Sequence, residues 1–125
     1  MESIVAVAVL FVDMVGSTAQ ASTLGPARAD ALRRRVFGVF RGAVAESGGS
    51  EVKTTGDGVM VVFTSAGSAL DGAVLVQRHL HRSNQLVPED ERVRIRVGVA
   101  FGDVTIDRGD YFGEPVVEAA RLCDA

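Results

Sequence analysis

The nine residues Ile4 to Val12 form a near-continuous apolar run rich in valine, and the run ends on a carboxylate, Asp13. A stretch that is apolar on successive residues reads as a central strand covered on both faces, so the chain must pack other elements above and below it. Nine residues are too few to cross a bilayer, and neither a basic stretch nor a cleavage site accompanies them. A second carboxylate, Asp57, stands between Gly56 and Gly58 after Lys53-Thr54-Thr55. Two hard oxygen donors at strand ends, beside small residues, suit a metal site for phosphate chemistry, because backbone amides there can approach a phosphate.

The remainder alternates between strand and helix signals. A small-residue turn through Gly16-Ser17-Thr18 leads to Pro26, and Ala27 to Ala45 carries Leu32, Val36, Phe40, Ala43 and Val44 at helical spacing until Gly48-Gly49 stops it. Glu51 to Thr55 and Val59 to Thr64 read as a hairpin with Asp57 at its tip. A second helix runs from Ala66 to Leu80 and closes near the Asn84 to Asp90 loop. Arg92 to Phe101 alternates polar and apolar residues as a half-buried strand does; Gly102-Asp103 then turns the chain into Val104 to Ile106. Asp107 to Gly109 is a further turn, and Phe112 to Cys123 a final helix. The order β-α-β-β-α-β predicts an α+β, ferredoxin-like split βαβ core with an added strand and helix, in a single domain over residues 1–125.

Composition narrows the function. With 47% apolar and 23% charged residues the chain is globular. Its net charge of -3 excludes a protein built mainly to grip nucleic acid, which needs a basic surface. One cysteine, Cys123, rules out an internal disulfide and fits a reducing compartment, so we expect a cytoplasmic protein without a membrane partner. The Arg33-Arg34-Arg35 run reads as a solvated helix face and Arg92, Arg94 and Arg96 as a polar strand face; neither has aromatics interleaved for stacking bases. His79 and His81 point to different sides of their helix and do not share a metal.

Four segments, in order and spacing, resemble the class III adenylate/guanylate cyclase catalytic domain, in a bacterial form often joined to regulatory domains. They are Phe11-Val12-Asp13-Met14-Val15-Gly16-Ser17-Thr18, Lys53-Thr54-Thr55-Gly56-Asp57-Gly58, Arg96-Val97-Gly98-Val99, and Gly109-Asp110-Tyr111-Phe112-Gly113 through Ala119-Ala120-Arg121-Leu122. The resemblance implies that Asp13 and Asp57 hold two Mg²⁺ or Mn²⁺ ions, with the Met14 carbonyl as a further ligand. It implies that the amides of Gly16, Ser17 and Thr18 meet the β- and γ-phosphates of ATP, and that Arg121, eleven residues after Asp110, stabilises charge on the α-phosphate. Lys53 and Asp110 match the adenine-selecting version of the family's base pocket, since adenine offers an acceptor at N1 and a donor at its amino group. The metal aspartates and the base-selecting pair with Arg121 would come from opposite subunits, which implies a head-to-tail homodimer and an inert monomer.

The chain departs from the family in two places. Val117 stands where the family has a ribose-orienting asparagine, and the neighbouring Glu118 is turned about 100° around the helix. The usual C-terminal strands and their lysine do not follow Arg121 before Ala125, so the chain reads as a shortened or incomplete domain. A degenerate domain that binds nucleotide or a partner without turnover is the alternative. An aspartyl-phosphate enzyme is disfavoured because Val15 takes the place of its second aspartate. Plainer roles also suit these residues: caps and turns for Asp13, Asp57 and Asp110, a solvated edge for Lys53, and a helix C-terminal cation for Arg121.

Overall fold

In the computed structural model, which describes residues 3–125, the apolar run is the middle of the sheet. The elements in chain order are β1 (Ser3–Met14), α1 (Ser17–Leu24), α2 (Pro26–Ser47), β2 (Ser50–Thr54), β3 (Gly58–Phe63), α3 (Ala66–Gln85), β4 (Ile95–Asp107), β5 (Asp110–Phe112) and α4 (Glu114–Asp124). The described strands lie in the order β2-β3-β1-β4-β5, every neighbouring pair antiparallel, which is the split βαβ arrangement with an added edge strand and helices.

Because side chains alternate across a strand, β1 serves two cores at once. Ala8, Leu10, Val12 and Met14 pack with Val36 and Phe40 of α2 and with Ala69, Ala73 and Val76 of α3. Val7 and Val9 join Met60, Val62 and Val104 under Ala119 of α4. Asp13 takes the second parity and so faces the α4 side. That helix sits on the backbone of β4, because a side chain at Gly98 would strike the Ala119 carbonyl and the main chain of Cys123.

The fold differs from the sequence expectations in four local respects. Helix α1 replaces the expected turn and loop before Pro26; its eight residues bury only Leu24, which leaves no apolar stripe to detect. The expected turn at Gly102-Asp103 is continuous strand, since β1 pairs with β4 without interruption from Ser3 opposite Ile106 to Met14 opposite Ile95. Gly102 is instead a contact with the Pro115 ring. Phe112 ends β5 rather than opening the last helix, because a two-residue turn with positive φ at Arg108 and Gly109 folds Asp110 to Phe112 back onto β4.

The arginine run is not a uniformly solvated face. Only Arg34 behaves so, pairing with Asp30 one turn away. Arg35 donates to the Ser83 hydroxyl at 2.6 Å and to the Glu91 carbonyl at 2.7 Å, tying α2 to the turn before β4. Arg33 reaches the β2–β3 turn.

The tight seat of α4 carries a prediction. Gly98→Ala should lower stability by about 1–3 kcal/mol through overpacking against backbone that has no rotamer to yield. Gly42→Ala on the open side of α2, where nothing lies within 4 Å, should be neutral or stabilise by up to about 1 kcal/mol. Urea unfolding midpoints of the two variants check both signs.

Candidate active site

Asp13 and Asp57 are brought together by the register of β1 against β3. Asp13 pairs with Gly58, the first residue of β3, so the preceding turn residue Asp57 lies beside the end of β1. The Met14 amide donates to the Asp57 carbonyl at 3.0 Å and closes the two strand ends on one another. Gly58 has no alternative here, since a side chain would collide with the Val12 carbonyl and come within 2.5 Å of Asp13 Oδ1. Positive φ at Gly56 lets the turn tighten, and the Thr55 amide bonds the Gly58 carbonyl at 2.9 Å.

This arrangement leaves the Asp13 carboxyl short of positive charge. Burial pushes its pKa above the ordinary 3.8, and the negative charges of Asp57 and Asp124 push the same way. A hydroxyl hydrogen bond from Thr55 at 3.5 Å and the guanidinium of Arg96 oppose the rise without cancelling it. Arg96 is Asp13's ladder partner on β4. Its place in the site was not foreseen; the signal lay in the Arg96-Val97-Gly98-Val99 segment, where it read only as a polar strand face.

A cavity of about 440 Å³ opens beside Asp57, lined also by Met14, Ser17, Thr18 and Arg33 among others. Gly16, at φ 67°, starts α1 without a side-chain cap, so amides of the first helical turn lack intrahelical partners. Such a terminus is suited to anions, and Ser17 and Thr18 of that turn line the cavity.

Lys53 and Asp110 also meet, within one chain, although β2 and β5 are opposite edges of the sheet. The Lys53 ammonium donates to both Asp110 oxygens at 2.9 and 3.1 Å, and the Tyr111 amide adds a bond at 2.8 Å. The lysine first, then that amide, hold the Asp110 carboxyl below the usual aspartate range. Arg121 is not brought to either group. Pro115, Ala119 and Cys123 are the buried face of α4, and Arg121 and Val117 lie on its exposed side. Among the described residues no hydrogen bond or ion pair links Arg121, Lys53 or Asp110 to Asp13 or Asp57. Cys123 is buried, its thiol pushed up to about 11 chiefly by burial, and donates to the Arg96 carbonyl.

The donor set suits a hard divalent cation. Two carboxylates, the outward one 50% exposed, and a nearby backbone carbonyl at Met14 offer oxygen only. Among the described residues no group of three acidic, histidine or cysteine side chains forms a closed cage. Mg²⁺ is typically held in this way, by one or two carboxylates with the remaining positions left to water and substrate phosphates. The raised Asp13 pKa is itself a deficit of positive charge that such an ion would meet.

Comparison with known proteins agrees with this geometry. The profile of the family described as "Adenylate and Guanylate cyclase catalytic domain" matches residues 1–123. An adenylate cyclase of Streptomyces coelicolor is 36% identical over 115 residues, covering 92% of this chain and 29% of the relative. The chain spans less than a third of the length of the curated relatives it matches. Among solved structures, an adenylate/guanylate cyclase/hydrolase from Silicibacter pomeroyi superposes with a TM-score of 0.82 at 32% identity, covering 99% of this chain and 72% of that one. The adenylyl cyclase CyaB from P. aeruginosa has the same fold, with a TM-score of 0.87 at 22% identity over 99% of this chain and 74% of that one.

A carboxyl whose folded pKa exceeds its unfolded value binds its proton more tightly in the folded chain. Asp13 therefore costs stability above its folded pKa, and the cost is relieved as pH falls through that pKa toward 3.8. Asp13→Asn should raise the thermal midpoint at pH 7, with the gain shrinking as pH is lowered into the carboxyl range. Added Mn²⁺ should raise the wild-type midpoint, by about 3 kcal/mol of stability at a hundredfold excess over Kd, and leave Asp13→Asn nearly unmoved.

Proposed function

The chain belongs to the adenylate and guanylate cyclase catalytic domain family, and from that membership we propose that it is an adenylyl cyclase, converting ATP to 3′,5′-cyclic AMP and pyrophosphate in a head-to-tail homodimer. The observation that carries the choice of ATP is the Lys53–Asp110 pair. A cation and a carboxylate held side by side present a donor and an acceptor together, which complements N1 and the 6-amino group of adenine. Guanine carries a donor at N1 and an acceptor at O6, so a pair set out for adenine would face like groups.

In the reaction the ribose 3′-oxygen bonds to the α-phosphorus, the bond to the β-phosphate oxygen breaks, and pyrophosphate leaves. When bound, two Mg²⁺ or Mn²⁺ ions supply acidification of the 3′-hydroxyl and neutralisation of the triphosphate. Asp13, Asp57 and the Met14 carbonyl are the groups that would hold them. The first-turn amides at Gly16, Ser17 and Thr18 bind the β- and γ-phosphates, and Arg96, beside Asp13, adds a fixed positive charge at the same end of the sheet. Arg121 stabilises charge that grows on the α-phosphate. Because it stands on the outer side of α4, away from its own chain's carboxylates, it serves the site of the second subunit. Lys53 and Asp110 are contributed with it, so each subunit completes its partner's site.

A second reading, a nucleotide-binding regulatory domain without turnover, is favoured by one residue. Val117 is 49% exposed on α4 and offers no hydrogen bond where the family resemblance places an asparagine.

Incubation with ATP and Mn²⁺ separates the two: the enzyme reading expects cyclic AMP, and the regulatory reading expects bound ATP without product. Asp57→Ala should abolish product. Arg121→Ala should lower kcat about 10²- to 10³-fold, the usual cost of losing one preorganised contact to developing charge. Mixed dimers of Asp13→Ala and Arg121→Ala chains should regain one working site; proven mixed dimers without activity would contradict a shared site.

A further inference from the structure

Helix α2 carries a device that the phosphate chemistry above leaves unexplained. Phe37 is buried, 5% exposed, with Arg33 one turn before it and Arg41 one turn after. The Arg33 guanidinium lies over its ring at 4.4 Å from the centroid, and the Arg41 guanidinium at 5.5 Å. Phe40 braces the ring from within the core at 5.6 Å between centroids. Each arginine then reaches a different end of the β2–β3 hairpin. Arg41 holds the Glu51 carboxylate through two bonds of 2.9 and 3.3 Å near the start of β2. Arg33 donates to the Gly56 carbonyl in the turn and stands 3.9 Å from Asp57 Oδ1.

We propose that Arg33, stacked on Phe37, is a positioning residue that fixes the Gly56-Asp57-Gly58 turn at the height at which Asp57 serves the metal site; the role in metal binding rests on the carboxylate reading of the proposed function. Three features point this way. The turn is built around two glycines, so little in its own sequence resists motion. Within the turn it is held by backbone bonds, and across to the rest of the fold by the Met14 amide on one side and Arg33 on the other. Arg33 bonds the turn through the Gly56 carbonyl, so it clamps the main chain and leaves both Asp57 oxygens without a close hydrogen bond to it.

Two opposed effects make the idea testable. As a mere cation near a metal-binding carboxylate, Arg33 would weaken metal binding, so removing its charge would tighten the site. As a clamp, it strengthens binding by holding the ligand in place, and outer groups that orient a ligand are typically worth 10- to 100-fold in metal affinity. Planar stacking and a fixed fork are properties of guanidinium that ammonium lacks, so lysine should not replace it fully.

The experiment is Mn²⁺ titration of the full chain, read by water-proton relaxation, with amide exchange at Met14 and across Gly56 to Gly58 in the metal-free chain. Arg33→Gln should weaken Mn²⁺ binding about tenfold and speed exchange of the turn amides, and Arg33→Lys should fall between it and wild type. Arg34→Gln, on the neighbouring solvated position, should change neither. If Arg33→Gln binds Mn²⁺ as tightly as wild type or more tightly, with unchanged exchange at Met14, Arg33 is a bystander charge and the positioning role is overturned. A wild-type chain that binds Mn²⁺ yet makes no cyclic AMP counts against the proposed reaction alone, and the Arg33 comparison still decides the clamp. A wild-type chain that fails to bind Mn²⁺ overturns the metal part of both.

Discussion

Everything at the candidate site hangs on β1 being hydrogen-bonded along both edges as it reaches Asp13. Between Ala8 and Asp13 the strand pairs with β3 on one side and β4 on the other. Its end therefore cannot slide or fray, since slipping by one residue would turn every core valine to the wrong face. That register sets Asp13 against Gly58 on one flank and Arg96 on the other. It also delivers the Met14 amide to the carbonyl of Asp57. A carboxylate pair, a neighbouring guanidinium and a helix N-terminus are thus consequences of one strand alignment.

The Lys53–Asp110 pair depends on a different property of the sheet. Lys53 and Asp110 sit on strands at opposite edges, with three strands between them in the order of the sheet, and a flat sheet would hold them far apart. They meet all the same, the ammonium on both carboxylate oxygens, so the sheet departs from flatness as twisted sheets do. Gly98 and Gly102 occupy the face of β4 where α4 presses against the backbone.

Much of the arrangement was legible in the residues. The central strand, the hairpin tip at Asp57, the long helix before it and the two-faced core followed from valine content, glycine placement and spacing. Helix α1 was not, because Ser17 to Leu24 shows no apolar periodicity and is held in place through Gln20, which donates to the Asp90 and Arg92 carbonyls some seventy residues on. The continuity of β4 through Gly102-Asp103 was hidden for a related reason: a glycine followed by an aspartate is a turn signal locally, and here partner strand and Pro115 overrule it. Arg33 and Arg35, read as solvent-facing, find partners that only folding brings near.

By itself, then, the order of residues determined which candidate groups the chain carries: two carboxylates after strand signals and small residues for close backbone approach. Local pattern is enough for that, because turn geometry, strand propensity and donor or acceptor character belong to individual residues and their immediate neighbours. Tertiary structure alone decided that Asp13 stands beside the Asp57 turn and Arg96, that Lys53 crosses to Asp110, and that Arg121 lies on the exposed side of α4. Those outcomes depend on strand register, sheet twist and the azimuth of a helix, which are set by how distant segments bury one another.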